Sequence, residues 1–397
     1  MKHSIVIDSL PQAFQVIKEM NLDTDQDDSD YRTAGRKSLE TILEERMQER
    51  ISFYLDEMSR LGEADRRNGY FSRHLVTELG DIELTVPRTR RFSPIRIVRA
   101  YARRAPHIDR MILACFVLGI STRKIATALL PVLGEPVSAT TVSRVAKHLD
   151  TAVAAFHRRP IKRQYRFLIF DGVVLKRKTG AGSVKRVVVV ALGITPEGRK
   201  EVIDFAIAPG ESQGAWEAFL TDLYKRGLTE EGIELIVTDG GKGLLAALPM
   251  VYPKISIQRC WAHKSRNVLN YVRKTDRKAV KGDLHAIQYA SGIKKAQMAI
   301  GAFARRWKQI YPRAVSCLLT DEEHLLSFFQ VTDTNVWPQI RTTNAIERRF
   351  REVRRRTRPM GVFSDRTSME RILYAVFSYE NLRQGVATPF LAVTQNC

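Results

Sequence analysis

Cysteine is scarce: four residues in 397, scattered at positions 115, 260, 317 and 397. That spacing offers no disulfide framework and points to a reducing cytosol. Long apolar runs are also missing. The longest, such as Val187 to Leu192 and Met111 to Leu118, fall far short of the ~20 residues that span a bilayer. No membrane partner is therefore expected. Met1 to Phe14 lacks the charged start, apolar middle and small-residue cleavage site of a secretion signal. No fixed-period repeat is visible, which excludes a repeat array. Acidic residues are in deficit, 43 against 64 Lys plus Arg, for a net charge of +21 and a pI near 10.0. That imbalance is the footprint of a polyanion binder, with nucleic acid first among the partners. What is present in ordinary measure is apolar material. A hydrophobic fraction of 44% supplies a real core, and the length suits two to four domains of roughly 100–200 residues.

The acidic, breaker-rich stretch Asp23 to Asp30 reads as a solvated loop or arm. From Ser38 to Leu61, Leu39, Ile42, Leu43, Met47, Ile51 and Leu55 recur at helical spacing, either as a core helix or as a dimer contact. Leu75, Thr77 and Leu79, then Ile82, Leu84 and Val86, alternate around Gly80-Asp81, which predicts a β-hairpin with basic flanks. Between Arg110 and Ala155 three short helices are expected. The first ends at Gly119, the second ends before Pro131 and Gly134, and the third starts at Ser138 with Val142, Val145, Ala146 and Leu149 turned inward. A tight Gly-containing turn between the second and third makes this a helix-turn-helix pattern. Its DNA-facing residues would be Arg123 and Lys124, then Thr140, Thr141, Arg144 and Lys147.

From Tyr165 the period becomes that of strands. YRFLIFDGVVLK, KRVVVVALGI and KEVIDFAIAP are three β-rich runs. A helix over Ser212 to Arg226, the strand ELIVTDGG, the short helix LLAALPMV and the short strand ISIQR follow. This order builds a mixed α/β layer and matches a ribonuclease H-like fold. Trp261 to Gln339 turns helical and basic and reads as an all-helical insertion. Ala345 to Arg358 is a helix closing the layer, and the tail beyond Gln384 looks loose.

Three carboxylates could carry chemistry. Asp171 interrupts an apolar run, where a carboxylate is costly to bury without a partner; an Asp-Gly hairpin turn explains it equally well. Asp239 ends the strand GIELIVT, the edge at which open α/β sheets bind ligands. Ile236 stands where a phosphate-binding loop would need Gly, so nucleotide hydrolysis is disfavoured. Glu347 opens AIERRFREVRRRTR in one stripe with Arg351, Arg354 and Arg358. It also fits a capping-box residue three after an Asn344 cap. Glu352 lies opposite among arginines and is expected to pair with them. Eight arginines fall between Arg341 and Arg358. So many cations on one helix repel without a polyanion, and a DNA duplex offers one negative charge per ~1.7 Å. Three carboxylates on separate elements can hold two Mg²⁺ or Mn²⁺ ions ~3.5–4 Å apart for in-line displacement at phosphorus. Cys260 and His263 form half of a zinc pattern, but His285, Cys317 and His324 lack the spacing to complete it. A structural role at the start of the insertion is the better expectation.

The stretches LGDIELTVPRTR, GISTRKIA, VSATTVSRV, VTDGGKGLLAAL, QRCWAHKSRNVL and RTTNAIERRFREVRRRTRPMGVF resemble the Mutator-type transposases of bacterial insertion sequences, from about Arg67 to about Arg371. The resemblance implies a ribonuclease H-like catalytic core interrupted by a helical insertion. It implies Mg²⁺-dependent cleavage at terminal inverted repeats and strand transfer into target DNA, by at least a dimer on paired ends in the bacterial cytoplasm and at the nucleoid. The family's acids map onto Asp171, Asp239 and Glu347, and its Cys-x-x-His signature onto Cys260 and His263. The segment around Asp171 and the Arg349-Phe350 pair depart from the usual pattern.

The expected layout is a helical arm over 1–66, a basic hairpin over 67–104 and a helix-turn-helix domain over 105–160. A catalytic core over 161–259 and 341–384 encloses the insertion at 260–340, and a tail covers 385–397. Arg348, Arg351, Arg354, Arg355 and Arg358 complete the expected double-stranded DNA contacts. The competing functions are a non-catalytic DNA-binding regulator derived from a transposase, which could have lost an acid, and a structure-selective nuclease of the same fold.

Overall fold

The computed structural model describes residues 27–386, apart from 78, 96–105, 118–119, 121, 134–136, 148, 180–181, 359–360 and 364. The chain divides into two compact units, one drawn mainly from the first 145 residues and one running from 146 onward.

In the first unit a long helix, α1 (Asp27–Arg60), packs on a two-stranded hairpin, β1 (Arg67–Thr77) and β2 (Gly80–Thr89). Met47 on α1 meets Leu75, Ile82, Leu84 and Val86, flanked by Leu39 and Leu43. The core reading of the α1 stripe therefore holds for these residues, while Ile42 and Phe53 stay exposed. Asp27 to Asp30, expected in a loop, form the first turn of the helix. Thr77 pairs with Gly80 and Val76 with Asp81, so Gly80-Asp81 already belong to β2.

Three helices follow: α2 (Pro106–Val117), α3 (Thr122–Leu133) and α4 (Ala139–Ala146). Pro131 lies in the last turn of α3 rather than beyond it; it forfeits the backbone bond to the carbonyl four residues back, and the helix ends two residues later. Ser138 caps α4 as expected, its Oγ accepting from Thr141 N at 3.1 Å. α4 stops at Ala146, and Leu149 instead starts α5 (Leu149–Arg158).

The second unit is built on a five-stranded mixed sheet of order β5-β4-β3-β6-β7. Its strands are β3 (Phe167–Thr179), β4 (Gly182–Ile194), β5 (Lys200–Ala208), β6 (Leu235–Thr238) and β7 (Ile257–Arg259). β3, β4 and β5 form an antiparallel meander, and β6 and β7 add parallel to β3. This order and sense are consistent with a ribonuclease H-like core. Side chains alternate between the two faces of the sheet. Leu168, Phe170, Val189 and Ile236 pack against Trp216 and Leu220 of α6 (Gln213–Lys225) and Leu244 and Leu248 of α7 (Lys242–Val251). Ser212 caps α6. At roughly 1.5–3 kcal/mol per fully buried large side chain, this layer dominates the stability of the sheet.

On the other side, Phe205 of β5 meets Phe377 at 5.4 Å between ring centroids. Phe156 of α5 meets Tyr374 edge-on at 5.3 Å. Both partners belong to α15 (Arg366–Leu382), a helix that the sequence reading left inside an undivided region. Asn381 of α15 clamps β5, accepting from Val202 N at 2.7 Å and donating to Val202 O at 3.0 Å.

Between β7 and the next long helix the chain is helical throughout: α8 (Trp261–Leu269), α9 (Arg277–Gln288), α10 (Ile293–Trp307), α11 (Pro312–Leu319), α12 (Glu322–Leu326) and α13 (Trp337–Ile340), with two 3₁₀ turns. α14 (Asn344–Thr357) and α15 complete the unit. No helix among the described residues is long and apolar enough to cross a membrane.

Candidate active site

The sheet register brings two of the three acids side by side. β3 and β6 run parallel with Phe170 opposite Thr238. Asp171 and Asp239 each lie one residue further, on neighbouring strands that sit ~4.8 Å apart. β6 and β7 pair Thr238 with Arg259, so Cys260 takes the corresponding position on the third strand, its N–H donating to Thr238 O at 2.8 Å. One row across the sheet therefore reads Asp171, Asp239, Cys260.

Asp171 is not a turn residue. It pairs with Val190 in the middle of β3, and the hairpin tip lies eight or more residues on, between Thr179 and Gly182. The strand runs through because the apolar residues on both sides are buried and Gly172 occupies a place where a side chain would collide. A Cβ there would stand 2.6 Å from Glu211 Oε1. Asp171 is buried at 7% exposure, and its Oδ1 accepts from Gly172 N at 2.7 Å. Burial first, and then the Asp239 carboxylate, push it up to about 7.

Asp239 begins a tight turn held by its own neighbours. Its Oδ1 accepts from Gly241 N at 3.0 Å, and Thr238 Oγ1 accepts from Gly240 N at 3.1 Å. Gly240 has φ +91°, and a Cβ would stand 1.8 Å from the Arg259 guanidinium. Only glycine accepts both the conformation and the contact. Arg259 in turn donates to Asp239 O at 3.3 Å and pairs with Asp321 at 3.1 Å.

Glu347 enters from α14. The cap of this helix is Thr343, and Asn344 is its first helical residue, so the capping box built on Asn344 does not form. Thr343 is fully buried and its Oγ lies 3.4 Å from both Glu347 Oε1 and Cys260 Sγ. His263 Nε2 stands 3.7 Å from Glu347 Oε1. The hydrogen bond with Cys260 holds the His263 imidazole above its ordinary value against the opposing effect of burial, and the Asp171 and Glu347 carboxylates add to it. Burial alone would push the Cys260 thiol up, but the bonds from His263 and Thr343 hold it below the ordinary range. His263 Nδ1 is buried and its contact with Cys260 departs from ideal hydrogen-bond geometry. Cys260 thus connects β7 to the start of α14, and His263 faces the acids.

The rest of QRCWAHK is structural. Gln258 donates to Leu325 O, the Trp261 indole donates to the same carbonyl at 2.9 Å, and Lys264 pairs with Asp321 while donating to Cys317 O at 2.7 Å. The segment is buried because it ties the sheet edge to α11 and α12.

Glu211 is an acid that sequence reasoning missed. It sits between Gly210 and the Ser212 cap, where it looks like an ordinary loop residue. Its Oε2 and Asp239 Oδ1 each lie 3.6 Å from the position of a Cβ on Gly241. Burial and the Asp239 charge hold its carboxyl above the ordinary range. Four carboxylates therefore share one end of the sheet. Asp171 feels the charges of Asp239 and Glu347, and Glu211 that of Asp239, yet among the described residues no three His, Cys, Asp or Glu side chains converge into a ready-made metal cage.

The arginines of α14 divide cleanly. Arg349 and Arg356 are buried, Arg356 against Glu352 at 2.5 Å. Glu352 also takes Arg355 at 2.9 Å, which fulfils the pairing expected of it. Arg348, Arg351, Arg354, Arg355 and Arg358 are exposed. In the first unit Lys124, Thr140, Arg144 and Lys147 are exposed and Thr141 is half-buried; the Arg123 side chain lies outside the described residues.

Comparison with known proteins matches residues 8–384 to a family described as "Transposase, Mutator family". The transposase for insertion sequence element IS905 of Lactococcus lactis is 34% identical over 88% of this chain and 90% of its own length. The transposase for insertion sequence element ISRM5 of Rhizobium meliloti is 30% identical over 87% of each chain. The transposase for insertion sequence element IS256 in transposon Tn4001 of Staphylococcus aureus is 31% identical over 78% of this chain and 80% of its own.

Proposed function

Since the chain belongs to the Mutator family of transposases, we propose that it is the transposase of an insertion sequence, and that Asp171, Asp239 and Glu347 are its catalytic acids. The observation that carries this reading is the register row. Two of the three acids occupy equivalent positions on adjacent parallel strands, and the helix that supplies the third is joined to the same row through Thr343 and Cys260.

The donor set fits divalent metal. All three side chains are hard oxygen donors, suited to Mg²⁺ or Mn²⁺. Asp171 is a buried carboxylate raised to about 7, a state that a nearby cation would reverse. Asp171, Asp239 and Glu347 would hold such ions, whose chemistry when bound would be activation of a water or 3′-hydroxyl and charge stabilisation of the leaving oxygen in a displacement at phosphorus. The protein's share is placement. The Gly241 amide fixes Asp239, β3 fixes Asp171, and Thr343 with His263 orient Glu347. Cys260 and His263 act as a positioning pair rather than as half of a zinc site. The exposed Arg348, Arg351, Arg354, Arg355 and Arg358 would hold the DNA backbone beside Glu347. Lys124, Thr140, Thr141, Arg144 and Lys147, with Arg123, would contact the terminal inverted repeats as a helix-turn-helix. The helices from 261 to 340 are the insertion within the catalytic layer. Action on paired ends requires at least two copies.

The direct test is cleavage and strand transfer with purified protein, Mg²⁺ and duplex DNA bearing the inverted repeats that flank the gene. Asp239→Asn and Glu347→Gln are expected to abolish both reactions while DNA binding in a gel-shift assay is retained. Full cleavage by either variant would remove the three-acid assignment. A regulator without catalysis would bind the same ends and leave them intact even as wild type.

A further inference from the structure

Next to the acids, α8, α9 and the entry to α14 enclose a pocket of about 450 Å³. Arg266, Arg277, Lys281 and His285 line it, and no carboxylate does. Among the described residues Arg266 and Lys281 have no ion-pair partner. The acids nearest in sequence are engaged elsewhere: Asp283 takes Arg306 at 3.2 Å and the Trp307 indole at 2.7 Å, and Asp276 takes the Tyr311 hydroxyl. The positive charge of the pocket is therefore uncompensated.

Its far wall is aromatic. His285 is stacked on Tyr289 with ring centroids 4.2 Å apart and planes inclined by 25°. The Arg341 guanidinium lies 3.9 Å from the Tyr289 centroid and is fixed by a hydrogen bond to Gln288 O at 3.2 Å. Permanent cations beside a preformed stack of flat groups are what a nucleotide requires: the cations for its phosphate and the stack for its base. The volume is that of a site for one small organic group rather than for a duplex.

The pocket adjoins the acid site through chain neighbours of the site residues. Ala262 lines the pocket and precedes His263, which faces Glu347. Thr342 and Asn344 line it and flank Thr343, which touches both Glu347 and Cys260. We propose that the pocket receives a single nucleotide unstacked from the DNA end next to the cleaved bond. Arg266, Arg277 and Lys281 hold its phosphate, and its base extends the stack at His285. Extrusion of that nucleotide bends the strand, so that the adjoining phosphate approaches the acids instead of lying in a straight duplex. This rests on the transposase reading above and names a substrate contact that reading does not need.

The test uses full-length protein and an inverted-repeat duplex with 2-aminopurine substituted in turn at each base around the cleavage site. Unstacking of the probe raises its fluorescence. The expected result is a several-fold rise at one position with wild type. Arg266→Ala/Lys281→Ala should lose that rise and cleave about tenfold more slowly, while still shifting the duplex in a gel. An abasic nucleotide at that position should restore cleavage by the variant, because no base then needs to be withdrawn from the stack. Wild-type cleavage with no fluorescent position, or a variant that cleaves as wild type, overturns the pocket and leaves the transposase reading intact. Failure of the abasic substrate to rescue the variant also overturns it, reducing the two cations to general backbone contacts. Wild-type protein that binds the ends and never cleaves them in Mg²⁺ overturns both.

Discussion

The two units handle charge in opposite ways. On α1 and the hairpin of the first unit, Thr77 and Thr89 are the only buried polar side chains among the described residues, and the described charged groups are exposed or half-buried. The second unit buries Asp171, Glu201, Asp204, Arg259, Lys264, Arg349, Arg356 and Glu380. Burying a charge is expensive unless it is paired, and here nearly every one is. Asp204 takes Arg226 and His157, and Asp321 takes Arg259 and Lys264. Two charges are exceptions among the described residues: Arg349 reaches only the Ala345 carbonyl at 3.2 Å and makes no ion pair, and Asp171 has no cation in bonding range. The first unit leaves its charge toward solvent. The second fixes charge in place around one carboxylate that lacks a partner of its own, as the proposed metal site would require.

Substitutions can break this contrast, beginning with the largest effect. Lys264→Met leaves half of the Asp321 clasp empty and should lower the unfolding free energy by about 3 kcal/mol in urea titrations. A loss below 1 kcal/mol would mean that Asp321 is solvated and the clasp is not a buried one. Asp171→Asn should do the reverse. Because the folded protein holds this carboxyl near 7 against 3.8 for an unperturbed group, the folded state binds the extra proton between those values. Wild-type stability therefore falls as pH rises from 3.8 to about 7. In metal-free buffer at pH 8 the Asn variant should be more stable, on the order of 2 kcal/mol, and should lose that pH dependence in thermal melts. Equal melting temperatures at pH 8 would contradict the burial penalty. For the same reason, Mg²⁺ binding at pH 7 should release protons from wild type, seen as a calorimetric heat that changes with buffer ionisation enthalpy and is reduced in Asp171→Asn.

In the first unit the effects belong to binding rather than folding. Arg144→Ala with Lys147→Ala should weaken the complex with terminal repeats and lower its salt slope by about 2, with cleavage of pre-nicked DNA little changed. Unchanged repeat affinity would remove α4 as a DNA-reading helix. Arg46→Ala, on the exposed side of α1, should alter stability by no more than about 0.5 kcal/mol. A larger loss would show that surface cations of this unit also support its fold.

Much of this arrangement can be read from residue order. The alternation of β-rich and helical runs between Tyr165 and Arg259 specifies the sheet, because apolar periodicity carries that information locally. The Glu347 stripe was legible for the same reason: Ile346, Phe350 and Val353 face the core, so the neighbouring exposed positions follow. Asp171 was ambiguous because Asp-Gly is the same dipeptide in a turn and in a strand. The glycine here, Gly172, answers to Glu211, a residue 39 positions away whose proximity exists only in the folded sheet. Glu211 itself carries no local signal. Nor could sequence separate Arg349 and Arg356, which are buried, from the five exposed arginines around them, since the deciding partners, Glu352 and α15, are fixed by packing. The helix α15 was within reach, as Met369, Ile372, Leu373, Val376 and Phe377 keep helical spacing. Its role in clamping β5 through Asn381 was not.

One hydrogen bond has a wider consequence. Trp261 N donates to Arg341 O at 2.9 Å, so the chain leaves the sheet after β7 and returns beside its own point of departure. Everything between those two residues is an excursion whose ends are pinned together. Lengthening or shortening it costs only the slow logarithm of loop closure and does not stretch the distance between Asp239 and Glu347. Outside the ties that Trp261, His263 and Lys264 make to Glu347 and to α11 and α12, the excursion is mechanically an interchangeable part: it can gain, lose or exchange helices without displacing the proposed catalytic acids.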